Sequence, residues 1–270
     1  MIIDFHTHIF PDKVAAKAIP NLASVIHLEP SMNGTIDGLR DSMEKSGIDL
    51  SVVLPIVTSP HQYESILRFA VHVNETCSEG SGPRLLSLAS VHPMADDYKA
   101  QLRQIRQKGF QGIKLHPNYQ GLHFDDIRYM RLIAAACEQD LLILTHAGYD
   151  PYTPDEEFCT PDMALHVLDE VRPPKLILAH MGSNEFYDES EEKLCGMQVY
   201  FDTAYSILHM NETQFVRMVR KHGADRVLFG TDTPWTYQKE CAQRLLSMEG
   251  LTDQEKQHIL SGNAEKLLGL

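Results

Sequence analysis

Near its start the chain reads Ile2-Ile3-Asp4-Phe5-His6-Thr7-His8-Ile9-Phe10, and this stretch decides between two architectures. The run Ile2–Phe5 is apolar and β-rich, as a strand buried on both faces should be. In a doubly wound open sheet, the runner-up, the first strand usually leads into a glycine-rich phosphate loop. Here it leads into two histidines with no glycine nearby. Seven similar runs follow: Ser51–Leu54, Leu85–Val91, Gly112–Leu115, Leu141–Thr145, Leu176–Ala179, Val199–Asp202 and Val227–Gly230. Segments of helical character separate them. Eight strands alternating with helices predict an α/β fold, a single (β/α)8 or TIM barrel, for which about 250 residues is typical. The 270 residues are therefore expected to form one domain, 1–270.

The helical segments are marked by spacing. Tyr98, Leu102 and Ile105 recur at three and four residues, with Lys99, Arg103 and Arg106 outside. The spans 126–139 and 211–222 behave likewise, and Pro161 suits a helix start. Gly47, Gly109 and Gly223 stand where left-handed caps are wanted. The longest connection runs from about Pro11 to Thr35 and contains Pro20, Pro30 and Gly34. The acidic stretch 183–193 reads as a solvated loop or helix face.

Composition excludes whole classes of function. The 24 Lys+Arg against 37 Asp+Glu give a formal charge of −13, the wrong sign for general nucleic-acid binding or docking on anionic lipid. With 43% hydrophobic and 23% charged residues, the chain is built to fold rather than to remain disordered. No apolar run approaches the ~18 residues of a membrane helix, and the start lacks the basic flank and apolar core of a signal peptide. Five scattered cysteines without a Cys-x-x-Cys pair read as free thiols, pointing to the cytoplasm. The expected partner is a small molecule, not nucleic acid or membrane, and a homodimer would be an ordinary assembly.

The 14 histidines are the unusual feature. Six of them, His6, His8, His92, His116, His146 and His180, fall at predicted strand ends, where barrels build their sites. Residues i and i+2 on a strand point the same way, so His6 and His8 can converge, as can Lys114 and His116. His6-x-His8 alone would equally suit two hydrogen-bonded core histidines. Adding His146, His180 and Asp232, each at a different strand end, points to a divalent metal, since crowding unpaired imidazoles is costly without one. His92 and His116 either line a substrate pocket or are hydrogen-bonded strand-end residues. Tyr119, Gln120, Tyr149 and Trp235 lie in rim loops and either contact substrate or pack. Asp202 either orients a ligand histidine or ends its strand. The remaining histidines, His27, His61, His72, His123, His166, His209, His222 and His258, are expected on the solvated surface.

These residues occur as Asp4-Phe5-His6-Thr7-His8, Gly112-Ile113-Lys114-Leu115-His116-Pro117, Thr145-His146-Ala147-Gly148, Ala179-His180-Met181-Gly182 and Phe229-Gly230-Thr231-Asp232-Thr233-Pro234-Trp235. Together with Gly262-Asn263-Ala264-Glu265-Lys266-Leu267-Leu268-Gly269, the pattern resembles the amidohydrolase superfamily, in its branch of compact metal-dependent hydrolases and decarboxylases. It resembles the TatD-type nucleases less. The resemblance implies His6, His8, His146 and Asp232 as ligands of one metal, Zn2+ first and Mn2+ or another divalent ion otherwise. It also offers a second ion, bridged by a carboxylated Lys114 and bound by His180. In one-metal members the histidine at the position of His180 instead polarises substrate or water.

The mechanism so implied is hydrolysis of an amide, ester or lactone of a small polar metabolite. The metal lowers the pKa of its water toward ~7, Asp232 acts as general base and His180 stabilises the developing oxyanion. The alternatives are a non-hydrolytic decarboxylase or hydratase of a small carboxylic acid, and a metal-binding regulatory module without turnover. The negative net charge does not exclude an anionic substrate, because a bound cation inverts the local field.

Overall fold

The computed structural model describes residues 1–78 and 82–270. They gather into two compact units interleaved along the chain: Met1–Leu54, His72–Ser87 and Asp202–Leu270 form the first, Pro55–Val71 and Leu88–Phe201 the second.

In the first unit, strands β1 (Ile3–Thr7), β2 (Leu50–Val53) and β3 (Arg84–Ser87) lie parallel in that order. Their registers are Ile3 on Leu50 and Leu50 on Arg84. Between Asp4 and Thr7 the register of β1 on β2 slips by one residue, the kind of bulge that re-aims side chains beside a site. Phe5 N–H donates to the Phe229 carbonyl at 2.7 Å and Thr203 N–H to the Leu228 carbonyl at 3.0 Å. The stretch carrying Asp232 is thereby bound to the strand carrying His6. The helix Glu212–His222 is capped by Asn211 and buries Phe215, Val216, Met218, Val219 and His222.

In the second unit, β4 (Ala89–Ser90), β5 (Gly112–Leu115), β6 (Leu142–Thr145), β7 (Leu176–Leu178) and β8 (Tyr200–Asp202, its last residue belonging to the first unit) pair as parallel neighbours in sequence order. β5 and β6 are buried at every position, as expected of strands covered on both faces. The helices Tyr98–Gln107 and Ile127–Glu138 lie where the spacing predicts them, and Pro161–Val171 begins at the proline read as a helix start. Asp126 caps the second of these, while Thr160 and Pro161 start the third. The last strand of the chain, β9, is Val227–Leu228 in the first unit.

Four expectations need correction. The run Leu85–Val91 is not one strand: it breaks at Leu88 into β3 and β4. The Asn74 side chain takes both backbone groups of Ser87, accepting from its N–H at 2.6 Å and donating to its carbonyl at 3.1 Å. The connection after β1 holds a 15-residue helix, Asp12–Ile26, despite Pro20 within it. Alanines 15, 16, 18 and 23 favour that helix, and His27 closes it in the left-handed region. Gly223 adopts φ 104°, ψ 118° rather than the left-handed cap geometry that Gly47 shows. His222 is buried, because it continues the apolar stripe set by Phe215 and Val219. All five cysteines are free thiols. Among the described residues, no helix is long and apolar enough to cross a membrane.

Candidate metal centre

Three donors meet in the first unit. His6 Nε2 lies 3.2 Å from His8 Nε2, and Asp232 Oδ1 lies 3.4 Å from the former and 3.2 Å from the latter. The other ring nitrogens are held from behind. His6 Nδ1 donates to Asp202 Oδ2 at 2.8 Å, and His8 Nδ1 donates to the Leu54 carbonyl at 3.1 Å. A carbonyl and an ionised carboxylate can only accept, so these bonds put each ring's proton on Nδ1 and leave the Nε2 lone pairs facing inward. Two lone pairs and a carboxylate oxygen aimed at one another repel unless a cation lies among them. Donors held tetrahedrally at ~2.0–2.1 Å from one ion stand about 3.3–3.4 Å apart. The triangle therefore fits a divalent metal in both chemistry and spacing.

Local structure explains how the triangle is built. Gly230 passes so close to β1 that an added Cβ would stand 2.9 Å from His6 Cβ. Asp232 has φ +69°, a conformation that L-residues avoid at a cost of ~1–2 kcal/mol and that Asp tolerates better than most. It is held there by its own N–H donating to the His6 carbonyl at 2.8 Å, and by Trp235 N–H donating to its carbonyl at 2.8 Å. Beneath the triangle, the fully buried Asp4 carboxylate accepts from His6 N–H (3.2 Å), Thr231 N–H (3.0 Å), Thr231 Oγ1 (2.6 Å) and Gln238 Nε2 (2.7 Å). Burial pushes its pKa up to about 7, against the opposing pull of those four hydrogen bonds.

The second unit carries Lys114, His116, His146 and His180. Lys114 is completely buried on β5, paired in register with Ser90 and Leu144. His146 Nδ1 lies 3.0 Å from His180 Nε2. His116 Nε2 and His146 Nε2 stand 3.5 and 3.8 Å from Asp150 Oδ2. His116, His146 and Asp150 thus resemble a second donor set, but the rings do not suit one. His116 is stacked on His146, with centroids 4.4 Å apart and planes 10° apart. Imidazole binds a metal in its ring plane, so two stacked rings cannot both aim at one ion. His116 also accepts from Tyr119 N–H on Nδ1, which leaves its proton on the nitrogen facing Asp150. Tyr119 stacks on His116 at 3.9 Å and meets Tyr152 edge-on.

Of the other sequence candidates, Trp235 belongs to the first unit and His92, Gln120 and Tyr149 to the second. His92 accepts from Met94 N–H on Nδ1 at 3.1 Å and also bonds the Thr58 backbone; burial lowers its pKa. Gln120 is buried and bridges the carbonyls of Val57 and Val91. Tyr149 is half-buried, and its carbonyl accepts from the Asn184 side chain. Trp235 is half-buried in the loop after Asp232. Gly148 must be glycine, having φ +91° and a Cβ position 2.2 Å from Asn184 N; this packs the His146 loop onto the one following His180.

Sequence reading missed Asp150, although its place four residues after His146 was a usable signal. It also missed the hydrogen bond from Gln238 to Asp4, which no local spacing connects.

A family model described as amidohydrolase matches residues 3–270. No curated protein sequence matches the chain. Solved structures resemble it over nearly its whole length. An uncharacterized TIM-barrel protein from Bordetella bronchiseptica is 19% identical with TM-score 0.79, over 99% of this chain and 98% of that one. A 2,6-dihydroxybenzoate decarboxylase from Rhizobium is 17% identical with TM-score 0.70, over 99% and 98%. A variant 5-carboxyvanillate decarboxylase from Novosphingobium aromaticivorans, with bound manganese, is 17% identical with TM-score 0.71, over 100% and 97%. At such identities the likeness speaks for the fold, which is α/β with parallel strands, that of the TIM-barrel proteins. The match begins on the strand that carries His6 and ends at the last residue, and by it the chain belongs to the amidohydrolase family.

Proposed function

We propose that the chain is a divalent-metal-dependent enzyme that removes CO2 from a small carboxylic acid. Hydrolysis of an amide, ester or lactone is the second reading. The observation that carries the proposal is the convergence of His6 Nε2, His8 Nε2 and Asp232 Oδ1 at 3.2–3.4 Å, with both ring protons held on the far nitrogens. Imidazole and carboxylate donors suit Zn2+, and Mn2+ is the metal bound to the Novosphingobium decarboxylase. An ion held there supplies Lewis acidity toward a carboxylate or carbonyl oxygen, or toward water.

The chain's own groups do the rest. Asp202 and the Leu54 carbonyl keep His6 and His8 in the binding tautomer. As the bond to the departing CO2 breaks, its electron pair stays on carbon, which takes up a proton supplied by water. His180 is the proposed group that stabilises the charge as it builds, with His146 as a further ligand and Lys114 as a plain amine. His116, Tyr119, Tyr149 and Trp235 are the proposed substrate contacts. His92 is proposed to hold its loop, since its Nδ1 accepts from Met94 N–H.

The one-metal form of the site, in which His180 acts on substrate rather than on a second ion, is the form that suits decarboxylation. Decarboxylases of aromatic acids among the structural neighbours support the same reading. Hydrolysis is favoured by Asp232 itself: its side chain is 14% exposed, open enough to take a proton from water.

The test loads metal-free protein with Mn2+ or Zn2+ and incubates it with small carboxylic acids, esters, lactones and amides. CO2 release that needs the ion and is lost in His8→Ala is the expected result. Hydrolysis products without CO2 would transfer the assignment to the second reading. Full turnover after complete metal removal would overturn both.

A further inference from the structure

We infer that Asp4 and Gln238 act together as positioning residues for the His6–His8–Asp232 donor triangle. This rests on the reading that the triangle binds a divalent ion.

Three of the four hydrogen bonds to the Asp4 carboxylate fall on the frame of that triangle. One comes from the backbone N–H of His6, and two come from the backbone and hydroxyl of Thr231, the residue before Asp232. The carboxylate thereby ties β1 to the loop that presents the third donor. The fourth bond comes from Gln238, first residue of the helix Gln238–Ser247. Its Nε2 donates to Asp4 Oδ2 at 2.7 Å and to Ser51 Oγ on β2 at 3.2 Å, anchoring the clamp to a helix and a second strand. Asp4, Thr231 and Ser51 are fully buried and Gln238 is 1% exposed, so water cannot replace a lost partner without opening the core.

Metal sites accept distances only within about 0.2 Å of ideal. A shift of a few tenths of an ångström at Thr231 would therefore be felt at Asp232. Residues that orient metal ligands without touching the ion typically contribute ~10–100-fold to affinity.

The clamp also predicts which change it tolerates. In Asp4→Asn, one oxygen can still accept from the N–H groups of His6 and Thr231, while an NH2 replaces Oδ2. Gln238 Oε1, buried and without a hydrogen-bond partner, can turn to accept from that NH2. Thr231 Oγ1 can accept as well, by donating its own proton to Thr233 Oγ1 at 2.8 Å. Asp4→Ala and Gln238→Leu have no such remedy.

The experiment measures the Kd for Mn2+ of the full chain and of Asp4→Asn, Asp4→Ala and Gln238→Leu, alongside far-UV dichroism and the metal-free melting temperature. The expected result is an affinity within about threefold of wild type for Asp4→Asn, and at least ~10-fold weaker for Gln238→Leu and Asp4→Ala. If Asp4→Ala does not fold, Gln238→Leu and Asp4→Asn carry the test. A folded Gln238→Leu that melts lower yet binds Mn2+ like wild type would reduce the network to a structural one and overturn the inference. So would an Asp4→Asn that binds at least ~10-fold more weakly than wild type. Absence of Mn2+ binding by the wild type would remove the metal-centre reading itself, and this inference with it.

Discussion

Asp202 shows how much one buried oxygen decides. Its Oδ1 accepts from Ala204 N–H at 3.1 Å while its Oδ2 faces His6 Nδ1 at 2.8 Å. In Asp202→Asn, the amide oxygen is needed where the Ala204 N–H points, so the NH2 is turned toward His6. That group donates to Nδ1 and drives the ring proton onto Nε2, where it blocks metal binding. The near-isosteric variant is therefore expected to bind Mn2+ about 10–100-fold more weakly, read by calorimetric titration, with little change in the metal-free melting temperature. Wild-type affinity in Asp202→Asn would show that Asp202 does not set the tautomer. At this scale the histidines were legible, because a strand end is a local property. Their partners were legible only in part: Asp202 could be read as orienting a ligand histidine, but not which one, since it lies 196 residues from His6, and Gln238, 234 residues from Asp4, gave no signal. Nothing in spacing reports which buried acceptor a ring nitrogen will find.

Elements were legible wherever their signals are short-range. The helix Ile127–Glu138 begins at Asp126, whose carboxylate accepts from Arg128 N–H at 2.9 Å and from the Arg128 guanidinium at 2.8 and 2.7 Å. Arg128 holds the Asp126 pKa down to about 2. Because the folded-state value is depressed, this contribution is present above the unfolded value near 4 and is lost as pH falls toward 2. Asp126→Ala is expected to cost ~1 kcal/mol in urea unfolding at pH 7, and Asp126→Asn, which keeps the cap, clearly less. Equal losses in the two variants would assign the stabilisation to the ion pair instead. Elements were misread where a distant or unusual residue intervened. The break between β3 and β4 is imposed by Asn74, 13 residues upstream of Ser87. The helix Asp12–Ile26 is masked by Pro20, which ordinarily argues against a helix interior.

For the whole molecule, alternating strands and helices predicted a parallel α/β fold, because each parallel strand needs a crossover and the crossovers here are helical, and the count of eight strands with no glycine-rich loop after the first favoured the barrel over the open sheet. What the alternation could not convey is that the donors come from opposite ends of the sequence, His6 from β1, His8 just after it, and Asp232 from the loop after β9. An ion bound by all three joins segments that are far apart in the unfolded chain, so it binds the native state almost exclusively. Such a ligand stabilises by RT ln(1 + [L]/Kd), about 2.7 kcal/mol at a hundredfold excess over Kd. At roughly 2 °C per kcal/mol for a chain of this length, Mn2+ at that excess should raise the melting temperature by about 5 °C. In His8→Ala the increment should disappear, because two donors no longer close the triangle. The metal-free melting temperature of that variant should change little, since the side chain is partly exposed and makes one hydrogen bond to the Leu54 carbonyl. Calorimetry of both proteins with and without Mn2+ separates the two contributions. An equal rise in wild type and His8→Ala would mean that the stabilising ion binds elsewhere.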